Sequence, residues 1–303
     1  MSDAAEALIG VAMADVRARL RAHARSTAPV LISGEHGTGK KLAARILHAL
    51  SDRSAAPFIG FDCAACSELL FSGELFGHER NTLSRSGCRR VVQPGRVEQA
   101  AGGMLFFWHV SELSYAQQRS LLRLFAGPPF ERDGGRERLD ADVRIVATTS
   151  HPLQLLVKTG DFYPHLAELL ESVQIALPSL RERMGDLDLL VGRFLEQHDV
   201  TITPSALEYL ATLTFGENVA ELEAFLSSLV ARVGTGAQLD EATVRSEPRI
   251  APPKRFGRVE QVAAEQAIAQ DALQKANGDH AAAAQLLGVS PRRLNYLLRG
   301  PPY

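Results

Sequence analysis

The feature that most constrains this fold is a short glycine-rich run, Gly34-Glu35-His36-Gly37-Thr38-Gly39-Lys40. It lies between the apolar, largely β-branched Val30 to Ser33 and an amphipathic stretch from Lys41 to Leu50. Glycines let successive backbone N–H groups close around a phosphate while a lysine reaches the terminal ones. Such a loop works between a strand and a helix, so its position commits both flanks. In the helical flank, Leu42, Ile46, Leu47 and Leu50 are expected on the apolar side.

Further short apolar runs recur at Phe58 to Phe61, Met104 to Phe107, Val143 to Thr148 and Val173 to Leu177, with longer helical patterns between them. Five buried strands separated by helices predict an α/β domain with a five-stranded parallel sheet covered on both faces. After Leu180 the strand signals stop, and an all-helical second domain is expected. The stretch 246–258 has three prolines and no apolar period, so it reads as a linker. Beyond it, Val259 to Lys275 and Ala281 to Leu287 read as helices broken at Asn277-Gly278-Asp279. Gly288-Val289-Ser290 then turns the chain into Pro291 to Leu298, with Ser290 as an N-cap and Pro291 at the first helical position. Two helices joined by a tight glycine turn, the second carrying Arg292, Arg293, Asn295 and Tyr296, form a helix-turn-helix pattern, which an ordinary helical hairpin would share. The predicted division is 1–184 for the α/β domain, 185–245 for the helical lid, 246–258 for the linker and 259–303 for the helix-turn-helix.

Composition narrows the class. The chain has 303 residues, 46% hydrophobic and 22% charged, as expected of a globular protein with more than one domain. No apolar run is long enough to span a bilayer and no signal peptide precedes the first domain, so a cytoplasmic location without membrane partners is expected. Three cysteines make a poor disulfide framework, and the lone CxxC at Cys63 and Cys66 has no second pair to complete a metal site. From Ala251 to Tyr303 seven Lys/Arg stand against four acids, so this tail carries +3 and the remainder −5 of a net −2. A basic tail fits a polyanion such as double-stranded DNA, and at this magnitude a solvated surface fits it as well.

The ordered motifs resemble one family. VLISGEHGTGKKLAARILHALS looks like a Walker A segment, PFIGFDCAA like the strand after it, and SGELFGHER like the helix entering a polymerase-contact loop. GGMLFF resembles the start of Walker B, VRIVATTS a sensor I strand, LPSLRER the close of the large domain, and GDHAAAAQLLGVSPRRLNYLL a DNA-reading end. Together they resemble the NtrC-type activators of sigma-54 RNA polymerase, AAA+ ATPases with a Fis-type helix-turn-helix at the C-terminus. That resemblance implies an AAA+ P-loop domain, an oligomer as dimer or ring, and DNA contacts by Ser290, Arg292, Arg293, Asn295 and Tyr296. It also implies a nucleotide site at Gly34, Glu35, His36, Gly37, Thr38, Gly39, Lys40 and Lys41. The family usually carries a sensory domain in front, which a chain starting at the ATPase-like domain would lack.

The departures from the family fall on chemistry. Trp108-His109 stands where the family ends Walker B in Asp-Glu, the pair that holds Mg²⁺ and orients the attacking water. Asp62 replaces the switch asparagine and Ser150 the sensor I asparagine. The two arginine-finger positions align with Tyr163 and Leu169, and the second-domain sensor arginine with Ala220. An arginine finger alone can be worth ~10³ to 10⁵ in rate. The expectation is that catalytic residues and ATPase activity are absent, that ATP or ADP is held without hydrolysis, and that a role for Mg²⁺ is open. The loop could equally be kept because glycines suit a strand-to-helix turn. At the polymerase-contact tip, Asn81-Thr82-Leu83-Ser84-Arg85-Ser86 replaces GAFTGA, with extra residues in Gly87 to Gln93, which argues against direct sigma-54 contact. Three functions remain: a DNA-binding regulator with a degenerate AAA+ domain, a subunit that co-assembles with and restrains a paralogous activator, and a working sigma-54 activator using unorthodox residues.

Overall fold

The structure is a computed structural model that describes residues 8–84, 87–125, 129–248, 258–276 and 278–287, with Leu294 and Leu298. Its centre is a five-stranded sheet in the order β2-β5-β8-β1-β9, every pairing parallel. These strands are β1 (Val30–Ser33), β2 (Phe58–Asp62), β5 (Met104–Trp108), β8 (Arg144–Thr149) and β9 (Gln174–Ala176). Each coincides with one of the apolar runs to within two residues at either end. All of β8 is buried, as a central strand covered on both faces must be.

Two apolar layers enclose the sheet. One joins Ile32, Phe106 and Val146 to Val16 and Leu20 of α1 (Ala14–His23) and to Ala43, Ile46 and Leu47 of α2 (Lys40–Ala49). The other joins Phe61, Phe107 and Ala147 to side chains of α3 (Glu68–Phe76), α4 (Arg96–Gln99), α5 (Tyr115–Phe125), α6 (Leu153–Thr159) and α7 (Pro164–Leu170). Leu42, expected on the apolar side of α2, is instead 41% exposed. The helix begins one residue earlier than the pattern suggested, and the buried face centres on Ala43, Ile46 and Leu47.

Between α3 and α4 the chain forms an antiparallel ribbon, β3 (Gly77–Ser84) with β4 (Gly87–Pro94). The residues aligned with the GAFTGA tip thus start inside a strand, with Asn81 opposite Arg90 and Thr82 opposite Arg89; the joining residues 85 and 86 lie outside the described set. A second small pair, β6 (Phe130–Glu131) with β7 (Arg138–Leu139), sits near the ribbon's base. There Arg132 bonds Glu98 at 2.6 Å and Glu137 at 3.2 Å, fixing the base against α4.

After a 3₁₀ segment at Leu180–Asp186, the helices α8 (Leu187–Glu196), α9 (Pro204–Thr212), α10 (Asn218–Val233) and α11 (Glu241–Arg245) share their own core around Val191, Leu210, Leu226 and Leu229. The expectation of an all-helical second unit needs one correction: β10 (Thr201–Ile202) pairs in parallel with β11 (Gln238–Leu239). Two residues per strand are too few to leave a periodic signal. Local chemistry sets the helix starts. Thr203 caps α9 by accepting from the Ala206 N–H, with Pro204 next in line, and Asp240 caps α11 by accepting from the Thr243 N–H.

In the C-terminal segment α12 (Arg258–Lys275) and α13 (His280–Leu286) pack around Ala269, Ala272, Ala283, Ala284 and Leu294. The five DNA-contact candidates, Ser290, Arg292, Arg293, Asn295 and Tyr296, lie outside the described residues. Helix α12 lies against a 3₁₀ turn at Val110–Glu112, immediately after β5. Among the described residues no helix is long and apolar enough to cross a membrane.

Candidate nucleotide site

The glycine loop leaves β1 at its C-terminal end and enters α2 at its N-terminus, where backbone N–H groups and the helix dipole favour an anion. Gly34, Gly37 and Gly39 have φ of 149°, 71° and 103°. Gly37 is required on two counts. Its φ is left-handed, and a Cβ there would stand 1.9 Å from the carbonyl oxygen of Glu217 and 3.0 Å from the Ala220 Cβ. Inside the loop, the Thr38 hydroxyl donates to the Glu35 carbonyl at 2.8 Å.

The close approach to Glu217 and Ala220 means that the start of α10 is pressed onto the loop. Asn218 ties the two together: its side-chain amide donates to the His36 carbonyl at 2.7 Å and to the Glu35 carboxylate at 3.2 Å, and its carbonyl accepts from the Leu180 N–H at 2.7 Å. The Ala220 N–H donates to the Gly37 carbonyl at 3.3 Å. Asn218 is buried and left-handed at φ 54°, a conformation asparagine tolerates better than most residues. From the 3₁₀ segment, Arg183 donates to the Thr38 carbonyl at 3.3 Å and Arg181 to the Glu35 carboxylate at 2.8 Å. Burial lowers the Arg183 pKa, with Asp186 opposing. The Arg181 hydrogen bond holds the Glu35 carboxyl below its usual range, against desolvation and with help from Asn218.

Lys40 is 9% exposed, and its ammonium donates to the carbonyls of Gly34 at 2.6 Å and Glu35 at 2.7 Å and to the Ser150 hydroxyl at 3.0 Å. Burial brings its pKa down to about 8, with the carboxylates of Glu217 and Glu35 opposing the fall. A phosphate entering the loop would exchange these neutral acceptors for charged oxygens, which bind an ammonium more strongly.

Across the site, β5 ends in Trp108. Its indole covers Gly60 on the neighbouring β2: a Cβ at Gly60 would lie 2.4 Å from the indole Cζ3. Phe106 flanks the indole with ring centroids 5.4 Å apart, and the Lys41 ammonium stands over its face, 4.9 Å from the centroid. His109 follows in a left-handed turn at φ 61°. Its Nδ1 is 3.3 Å from an Asp62 carboxylate oxygen, and its ring centroid lies 5.8 Å from that of His36 in the loop. The strand end and the loop therefore meet through side chains.

In many P-loop proteins Mg²⁺ is held by a Ser/Thr that follows the loop lysine and by a carboxylate ending the Walker B strand, although the family resembled here usually has glutamate at the first of these positions. In this chain the two positions are Lys41 and Trp108, in contact with each other. A hard cation needs oxygen ligands, which neither supplies. These residues do not fit Mg²⁺. Among the described residues no group of three or more His, Cys, Asp or Glu could hold a metal ion. Cys63 and Cys66 are free thiols, both with pKa raised by burial.

The residues aligned with the family's fingers and second sensor are placed as follows. Tyr163 is the N-cap of α7 and packs its ring on Tyr115 with centroids 4.1 Å apart, Leu169 lies within α7, and Ala220 touches the loop through its backbone and Cβ. The residues missed by sequence reasoning are Asn218, Arg181 and Arg183. Arg181 and Arg183 stood in the motif LPSLRER and Asn218 two positions before Ala220, and the polar residues there could have been asked what they bond.

A parallel α/β sheet in this strand order, with a glycine loop leaving its central region and a lid pressed on that loop, defines a P-loop protein of AAA+ architecture. Residues 9–176 match the Sigma-54 interaction domain. The chain is 35% identical over 293 residues to the Nif-specific regulatory protein of Azotobacter vinelandii, which covers 93% of this chain and 56% of that protein. It is 33% identical over 306 residues to the regulatory protein AtoC of Escherichia coli K12, covering 95% and 66%. Among solved structures, NtrX from Brucella abortus in complex with ATP aligns with a TM-score of 0.69 at 25% identity, covering 95% of this chain and 67% of that one. This chain belongs to the sigma-54 activator family. It spans less than two thirds of the length of the Azotobacter relative and about two thirds of AtoC.

Proposed function

We propose that this protein is a DNA-binding transcription regulator whose AAA+ domain holds ATP or ADP without hydrolysing it. The observation that carries the reading is Trp108. It occupies the end of β5, where hydrolysis requires a carboxylate, and it is seated over Gly60 with Lys41 on its face rather than turned out of the site. His109 takes the place of the second carboxylate and pairs with Asp62, but with tryptophan at the metal position it has no metal-bound water beside it to activate. The residues assigned to nucleotide are Gly34 through Lys40 with Lys41, and the nucleotide-bound NtrX structures, with ATP and with ADP, support that assignment. DNA contact is assigned to Ser290, Arg292, Arg293, Asn295 and Tyr296 in a C-terminal helix-turn-helix spanning 259–303, beyond the 246–258 linker and the lid at 185–245.

The non-cationic finger positions favour one alternative assembly. A subunit with Tyr163 and Leu169 there, entering the ring of an active paralogue, would leave its neighbour's site without the charge that phosphoryl transfer needs. The test that covers both readings is genome-wide DNA occupancy together with ATP turnover by the purified chain, alone and mixed with paralogous activators. Operator occupancy without turnover is expected. Turnover stimulated by DNA and abolished by Lys40→Ala would overturn the reading in favour of a working activator.

A further inference from the structure

We infer that the nucleotide site is built for the metal-free nucleotide, with the Lys41 ammonium standing in for the divalent cation. The inference rests on the proposal that the loop binds a nucleoside di- or triphosphate, and it adds which form of that ligand the site takes.

Three observations converge. First, the strand-end position that holds Mg²⁺ in P-loop proteins has become a tryptophan, and residue 41, where the resembled family usually has glutamate, is a lysine in contact with it, Nζ to ring centroid 4.9 Å. The first change removes the metal ligand. The second reverses the charge beside the loop, and a fixed ammonium offsets phosphate charge as the metal would. Second, the lysine is positioned. The indole face attracts the ammonium, and the indole is itself held by the absence of a side chain at Gly60 and by Phe106. Third, the Asp62 carboxylate at the neighbouring strand end is engaged by His109, and His109 in turn approaches His36 of the loop. In a Mg²⁺ site, Lys41 would repel the ion. In a metal-free site, Lys40 and Lys41 together meet a polyphosphate that carries its full negative charge.

The test is ATP binding to the full chain by calorimetry, in EDTA and in excess Mg²⁺. Trp108, the single tryptophan of the chain, gives a local fluorescence reporter in the same titrations. Affinity in EDTA equal to or tighter than in Mg²⁺ is expected. Lys41 is exposed, so Lys41→Glu keeps the fold and should weaken metal-free binding by about tenfold or more while weakening Mg–ATP binding less. The double variant Lys41→Glu with Trp108→Asp, read with a fluorescent ATP analogue, should bind more tightly in Mg²⁺ than in EDTA. Binding by the unaltered chain that requires Mg²⁺, or metal-free affinity untouched by Lys41→Glu, overturns the inference while the nucleotide-binding reading stands. Absence of nucleotide binding in both buffers overturns both.

Discussion

The loop at Gly34 to Lys40 and the strand end at Trp108-His109 face each other across one site, yet only the loop keeps what the family resemblance requires. The loop is held largely through backbone groups: carbonyls of Gly34, Glu35, His36, Gly37 and Thr38 each accept a bond from Lys40, Asn218, Ala220 or Arg183. The strand end keeps its backbone bonds but meets the site through side chains, the indole on Gly60 and the imidazole on Asp62. Backbone-held geometry persists as long as the packing does. Side-chain chemistry can be exchanged without disturbing the sheet, because β5 keeps its register with β2 and β8 whatever side chain ends it.

This contrast can be broken at four points. The largest effect is expected from Gly37→Val, which adds a branched side chain at a left-handed φ and against the Glu217 carbonyl. It should destabilise the protein by about 3 kcal/mol or more and eliminate ATP binding, as read by chemical denaturation and calorimetry. A loop that accepts valine would mean that the lid does not close on it.

The next effect is a pH dependence. Lys40 titrates at about 8 in the fold against 10.5 as the ordinary value, so the unfolded chain holds more protons between those pH values. Stability should therefore rise with pH across that window, with the burial penalty fully present below about pH 8. The gain is up to about 3 kcal/mol relative to Lys40→Met, whose stability lacks this term. Parallel denaturation curves at pH 7.5 and 10 for the two proteins check it. Identical pH profiles would place the ammonium in solvent.

Asn218→Leu should cost about 2 to 3 kcal/mol, from three lost hydrogen bonds and strain at φ 54°. Its ATP affinity should fall as well, which tests whether the lid grip shapes the loop. The smallest effect concerns the strand end. Gly60→Ala should destabilise by about 1 to 2 kcal/mol by displacing the indole, and the cost should vanish in a Trp108→Ala background. Additive costs in that double-mutant cycle would contradict the seating of Trp108 over Gly60.

Much of the sheet was legible because its strands are unbroken apolar runs of four to six residues and its loop has a signature of its own. The ribbon β3–β4 was not, since Gly77 to Pro94 mixes polar and charged residues and resembles a loop in composition. Leu42 misled because periodicity cannot say which end of an apolar stripe faces water. In the site, the loop residues and the missing carboxylates could be read directly from identity and order. The grip of Asn218, Arg181 and Arg183 could not: these residues lie between 145 and 183 positions from their partners in the loop, and only the closed lid brings them to it.

The central claim is that this site keeps a nucleotide and does not cut it. The direct measurement is a single-turnover experiment in which the full chain, in excess over γ-labelled ATP and with DNA present, is sampled for bound nucleotide and released phosphate. The account predicts labelled ATP retained intact on the protein with phosphate release at the rate of the buffer alone. Release that follows protein concentration and disappears in Lys40→Ala would contradict it.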